Sequence, residues 1–203
     1  MKLFDGGMAP NPRRVRIYLA EKGIEVPTEP VDMGAMEHKS EKVTSRNPLQ
    51  RLPLLELDDG TVIAESIAIC RYFEELNPEP PLFGTDALEK AQVEMWQRRI
   101  ELHFLFTVAQ VFRHTHPAMA EWEVPQVPEW AEANRDRAVE FIRFLDGHLE
   151  GRDFLITGRF TIADVTAMVA SSFMKPAKIA VPDDVPNFHR YVDAMKARPS
   201  YRA

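Results

Sequence analysis

The sequence predicts a small α/β domain followed by an all-α helical domain, and three observations carry that prediction. The first 77 residues alternate short β-branched or apolar runs with amphipathic stretches in the order strand, helix, strand, then strand, strand, helix. A proline cluster, Asn77-Pro78-Glu79-Pro80-Pro81, then forbids helix and favours an extended linker. Beyond it the chain reads as amphipathic helices with no strand signal of comparable strength. The expected domains are residues 1–80 and 86–203.

Each element has its own local reason. Lys2-Leu3-Phe4 reads as a short strand, and a glycine-rich turn leads from it to Asn11-Pro12, a helix cap followed by proline at the first helical position. Gly23 suits the left-handed residue that ends that helix after Lys22, and Thr28 to Val31 forms the next strand, giving a parallel βαβ unit. Leu54 to Leu57 and Thr61 to Ile63 flank Asp58-Asp59-Gly60, whose Asp-Gly pair marks a hairpin. Ser66 caps a helix to about Leu76. In the second domain, helices are expected over about 86–114, 129–149, 161–173 and 187–196. The run Thr161-Ile162-Ala163-Asp164 is an acidic variant of the capping box, flanked by Phe160 and Val165 as a hydrophobic staple.

Composition narrows the function. The 203 residues are 45% hydrophobic and 28% charged, with 25 basic against 31 acidic side chains and a net charge of −6. That balance gives no electrostatic reason to bind nucleic acid or an anionic membrane. The one cysteine, Cys70, excludes an intramolecular disulfide and reads as a packing residue, and no set of closely spaced Cys and His suggests a metal. No signal-peptide core or run of about 18 apolar residues is present, so the expected location is cytoplasmic.

The chemistry gathers at one end of the predicted sheet. Pro53, preceded by an extended Leu52 at a strand entrance, leaves the Leu52 backbone groups available to an extended peptide. Ser66 at a helix start offers donors to a carboxylate, and Glu65 beside it offers an anion to an ammonium group, so together they fit an α-amino acid head. Read blandly, Ser66 is only a cap and Glu65 a solvated neighbour.

The run Asn47-Pro48-Leu49-Gln50-Arg51-Leu52-Pro53-Leu54-Leu55, continued through Asp59-Gly60 to Glu65-Ser66-Ile67-Ala68-Ile69, resembles the core signature of the cytosolic glutathione S-transferases, most of all the theta-like and related bacterial and fungal groups. The resemblance spans nearly the whole chain, since Thr161 to Asp164 matches the helix-capping motif of that family. It implies a thioredoxin-like glutathione-binding domain and an all-helical domain that contributes the electrophile site. It also implies that Leu52 pairs with the cysteinyl backbone of glutathione before a cis Pro53, that Glu65 and Ser66 hold the γ-glutamyl end, and that His38 and Arg51 lie near the glycyl carboxylate. Glutathione is then the co-substrate, no metal is needed, and a homodimer is expected.

The chain departs from that family at the activating residue. The loop Gly6-Gly7-Met8-Ala9-Pro10-Asn11-Pro12 contains no Tyr, Ser or Cys to face the glutathione sulfur. Lowering a thiol pKa from about 8.5 by roughly two units requires about 2.7 kcal/mol. A partly buried helix N-terminus supplies up to about 2 kcal/mol, and a hydrogen bond to a charged acceptor about 1.5–3 kcal/mol. Asn11, directly or through a water, is therefore the candidate activating residue, against the plainer reading that it only caps its helix. In the helical domain His103, Thr107, Gln110 and His114 recur at helical spacing beside an apolar face; His103, Thr107 and His114 are candidates for the electrophile site, or else part of a solvated stripe. Arg13, Arg14 and Arg16 read as a solvated or interface face of the first helix. The leading expectation is a glutathione S-transferase that activates the thiol and adds it to a hydrophobic electrophile. The alternative is a non-catalytic binding or scaffold protein of the same fold.

Overall fold

The computed structural model describes residues 1–156 and 158–203. Contacts divide the chain into two compact units, Met1–Leu82 with Arg202–Ala203, and Phe83–Tyr201. In the first unit β1 (Lys2–Asp5), α1 (Pro10–Lys22) and β2 (Thr28–Pro30) form the expected βαβ unit, with Leu3 opposite Thr28 in a parallel pair. The hairpin of β3 (Leu54–Glu56) and β4 (Val62–Ala64) adds antiparallel to β1, so the strand order is β2-β1-β3-β4. Phe4, Val31, Val43, Leu52 and Leu54 build an apolar cluster against the sheet. A short 3-10 turn (Glu37–Lys39) and α2 (Glu41–Thr44), which no sequence pattern announced, lie between β2 and β3.

Two helix starts differ from expectation. Helix α1 begins at Pro10, with Ala9 at the cap position and no side-chain cap bond, so Asn11 lies inside the first turn rather than capping it. Proline tolerates the first turn because the N–H it lacks has no intrahelical acceptor there, and both Pro10 and Pro12 use that tolerance. Helix α3 (Ser66–Leu76) has Glu65 at its cap position, with φ 66° and ψ 118°, which makes Ser66 the first helical residue and not the cap. Gly23 ends α1 in the left-handed conformation, φ 65°, as expected.

Helices α1 and α3 pack through steps of four. Glu74 of α3, nearly buried, accepts hydrogen bonds from Tyr18 Oη at 2.7 Å and from the Leu82 backbone N–H at 2.9 Å, and pairs with Lys22 Nζ at 2.8 Å. Cys70 is fully buried, and burial pushes its thiol pKa far up, so it packs and does not react.

In the second unit the expected first helix is divided. Helix α4 (Ala87–Ile100) passes through a π-helical turn (Glu101–Leu105) into α5 (Phe106–Thr115). The remaining long helices are α6 (Pro128–His148), α7 (Ile162–Phe173) and α8 (Pro186–Lys196). Helix α7 is buried on all sides from Ile162 to Ala170, as an apolar helix at the centre of a bundle must be. The capping box forms: the Thr161 side chain and the Asp164 carboxylate each bond the other's backbone N–H. Asp164 also accepts from Leu155 N–H at 3.0 Å and from Tyr191 Oη at 2.8 Å. Burial raises its carboxyl pKa, and these donors oppose that rise.

His148 at the end of α6 lies tilted against Trp96, with centroids 4.0 Å apart, and its Nε2–H donates to Leu155 O at 2.8 Å. Burial lowers its pKa, assisted by the positive charges of Arg152 and Arg99. Below about pH 6.5 the unfolded chain binds a proton that folded His148 refuses, so stability falls as the pH drops toward the depressed pKa. Urea midpoints are expected to be lower at pH 5.5 than at pH 7.5, and His148→Phe is expected to flatten that difference. An unchanged slope in the variant would refute the assignment.

Candidate functional site

The site is built where β1, β3 and the N-terminus of α3 meet in the first unit. The Leu52–Pro53 peptide bond is cis, and Leu52 lies outside the β3 ladder. Among the described residues no backbone hydrogen bond occupies its N–H or C=O. Asn47, buried, braces the approach: its Nδ2 donates to Arg51 O at 3.0 Å and its Oδ1 accepts from Leu49 N–H at 3.1 Å. The β1–α1 loop lies against Leu52, since a Cβ on Gly6 would stand 3.1 Å from Leu52 Cδ1. Asp5 holds that loop, accepting Gly7 N–H at 2.8 Å and pairing with Arg16 at 2.6 Å, while Arg16 also donates to Gly7 O. In the first turn of α1, Pro10 and Pro12 lack an N–H, so Asn11 supplies the backbone donor, and its side chain is exposed.

Glu65 is exposed, and its positive φ turns the chain sharply into α3. Ser66 is nearly buried, and its Oγ accepts a hydrogen bond from Arg14 Nη1 at 3.1 Å. Arg14 itself is 1% exposed and Arg13 is buried too, so of the solvated or interface face expected of Arg13, Arg14 and Arg16 the solvated alternative does not hold. An alternation of charge along one helix does not reveal that the facing helix covers it. His38 is 2% exposed, and burial, then the charges of Lys39 and Arg51, lower its pKa, so the imidazole is neutral near pH 7. Of the expected basic group, Lys39 and Arg51 both act on His38 through their charge, while His38 itself is neutral.

The candidates in the second unit separate. His103 and Thr107 line a cleft of about 470 Å³ with Arg99, Arg137, Glu140, Phe141 and Phe144. His103 stacks on Phe141, with centroids 5.8 Å apart, and the buried Thr107 hydroxyl donates to His103 O or Phe104 O at 2.9 and 2.8 Å. His114 is not part of that cleft: its Nδ1 accepts Val127 N–H at 3.1 Å, and the ring braces the segment leading into α6. Gln110 is occupied by Trp130 Nε1 at 3.0 Å.

Two family models match the chain: glutathione S-transferase N-terminal domain over residues 9–76 and glutathione S-transferase C-terminal domain over residues 97–199. Glutathione S-transferase 2 of Saccharomyces cerevisiae is 34% identical over all of this chain and 88% of its own length. This chain belongs to the glutathione S-transferase family. The crystal structure of a glutathione S-transferase domain-containing protein from Marinobacter aquaeolei VT8 superposes on the transferase with a TM-score of 0.94 at 35% identity, over 99% of this chain and 100% of that one. A more distant relative, elongation factor 1-gamma 1 of Oryza sativa, is 24% identical over 98% of this chain, which spans 46% of that protein. Among the described residues of the transferase no helix is long and apolar enough to cross a membrane. The loop from Gly6 to Pro12 contains no Tyr, Ser or Cys.

Proposed function

We propose that this transferase binds glutathione in the unit Met1–Leu82 and transfers the activated thiol to a hydrophobic electrophile. The observation that carries the reading is the conjunction of open Leu52 backbone groups before a cis Pro53 with Glu65 and Ser66 at the start of α3. In that reading Leu52 pairs with the cysteinyl backbone as an added strand would. Ser66 and the first N–H groups of α3 hold the γ-glutamyl carboxylate, Glu65 holds the ammonium group, and Arg51 with neutral His38 meets the glycyl carboxylate. His103 and Thr107 line the cleft assigned to the electrophile, whose Phe141 and Phe144 walls favour an aromatic substrate. His114 is assigned a bracing role instead.

Asn11 is the proposed activating residue, through its amide or backbone N–H, or a water that either holds. Ultraviolet titration of bound glutathione from pH 5 to 9 tests this. The wild-type complex is expected to show a depressed thiol pKa. Asn11→Ala is expected to raise it by about one unit, since a hydrogen bond to a thiolate contributes about 1.5–3 kcal/mol. An unchanged pKa in the variant would remove the Asn11 side chain from the mechanism.

The homodimer belongs to the same proposal. Leu88, Met95, Leu102 and Phe106 project from α4, the π turn and α5 at spacings of seven, seven and four, each more than 40% exposed. Such a stripe suits a symmetric partner in a cytoplasmic protein. The second reading, a non-catalytic binding protein, draws on the loop without Tyr, Ser or Cys and on the elongation-factor relative. Absence of glutathione binding in the titration would favour it.

A further inference from the structure

Arg14, Tyr18 and Lys22 stand at steps of four on α1, facing Ser66, Cys70 and Glu74 at steps of four on α3. The lower rungs belong to the Glu74 cluster and tie the helices together. The upper rung, Arg14 to Ser66, ends at the first turn of an eleven-residue helix in the glutathione site. A guanidinium has only donors, so Ser66 Oγ accepts from Arg14 and its O–H is left to donate elsewhere. The first-turn N–H groups of α3 are donors as well. The Ser66 hydroxyl and these N–H groups thus form a donor set beside the Glu65 carboxylate, backed by a guanidinium that is 1% exposed. That donor set accepts a carboxylate, while Glu65 beside it is left to the ammonium group.

We propose that Arg14 is a positioning residue that holds Ser66 as a hydrogen-bond donor and thereby selects ligands with a carboxylate at the γ-glutamyl α-carbon. This rests on the glutathione reading above. Arg14 touches Ser66 and acts on the ligand through it, so its effect depends on the Ser66 hydroxyl.

The test is a calorimetric double-mutant cycle with two ligands: glutathione, and 4-aminobutyryl-cysteinyl-glycine, which lacks that carboxylate. Wild type is expected to prefer glutathione. Arg14→Gln is expected to weaken glutathione about tenfold, the size of one charge-assisted hydrogen bond, and to leave the decarboxylated peptide within about twofold. In the Ser66→Ala background Arg14→Gln is expected to have no further effect on glutathione. Equal weakening of both ligands, or an undiminished effect without the Ser66 hydroxyl, would overturn the proposal as a merely structural role. If Arg14→Gln does not fold, Arg14→Lys carries the test, because an ammonium is also donor-only: preference for glutathione is expected to persist, and its loss overturns the proposal. A wild-type protein that binds both ligands equally overturns this inference alone, and one that binds neither overturns the glutathione reading with it.

Discussion

Asp164→Ala is expected to destabilise the helical unit by about 4 kcal/mol, the sum of a lost cap at about 0.5–2 kcal/mol and buried donors left unsatisfied at about 1–3 kcal/mol each. The carboxylate is fully buried and serves Thr161 N–H, Thr161 Oγ1, Leu155 N–H and Tyr191 Oη, four groups from three segments. Water cannot replace it in a well-packed interior without making room. With a urea slope of about 1–3 kcal/mol per molar, the midpoint should fall by more than 1 M. Asp164→Asn should lie between: one amide edge still accepts, while the other places N–H groups against the Thr161 donors. A midpoint shift below about 0.3 M for the alanine variant, or equal shifts for both variants, would contradict this account.

Glu74→Leu is expected to cost the first unit about 3–5 kcal/mol, because removing one partner strands the other charge in the interior. Lys22 has a buried side chain, and losing Glu74 leaves its ammonium with the Pro80 carbonyl, while Tyr18 Oη and Leu82 N–H lose their acceptor. Replacing both charges by apolar groups of similar volume is often close to neutral, so Lys22→Met combined with Glu74→Leu should be more stable than Glu74→Leu alone. Circular dichroism in urea reads both. Additive losses in the double variant would show that the ion pair is not the source of the cost.

Much of the molecule is legible in its sequence. The hairpin around Asp59-Gly60, the Gly23 stop and the Thr161 to Asp164 box all depend on neighbours a few residues away, and all appear as read. The α1 start lies two residues before the position the sequence suggests, because Pro10 and Pro12 both suit a first turn, and Asn11 between them resembles a cap. The π turn at Glu101–Leu105 leaves the apolar pattern nearly intact, so the pattern reads as one helix.

The sequence by itself determined the order of elements, the two-part organisation around a proline linker, and the Leu52-Pro53 and Glu65-Ser66 signature of the family, since each is written in local spacing and residue type. Only the tertiary structure decided which polar side chains would be covered. Arg14 meets Ser66 across 52 residues and Tyr18 meets Glu74 across 56, and His38 loses its charge to burial. His114 leaves the stripe it shares with His103 because Val127 claims it. Periodicity records which face of a helix is apolar, but a charged residue is buried or solvated according to the partner that the chain returns to it from far away, and that partner is set by packing.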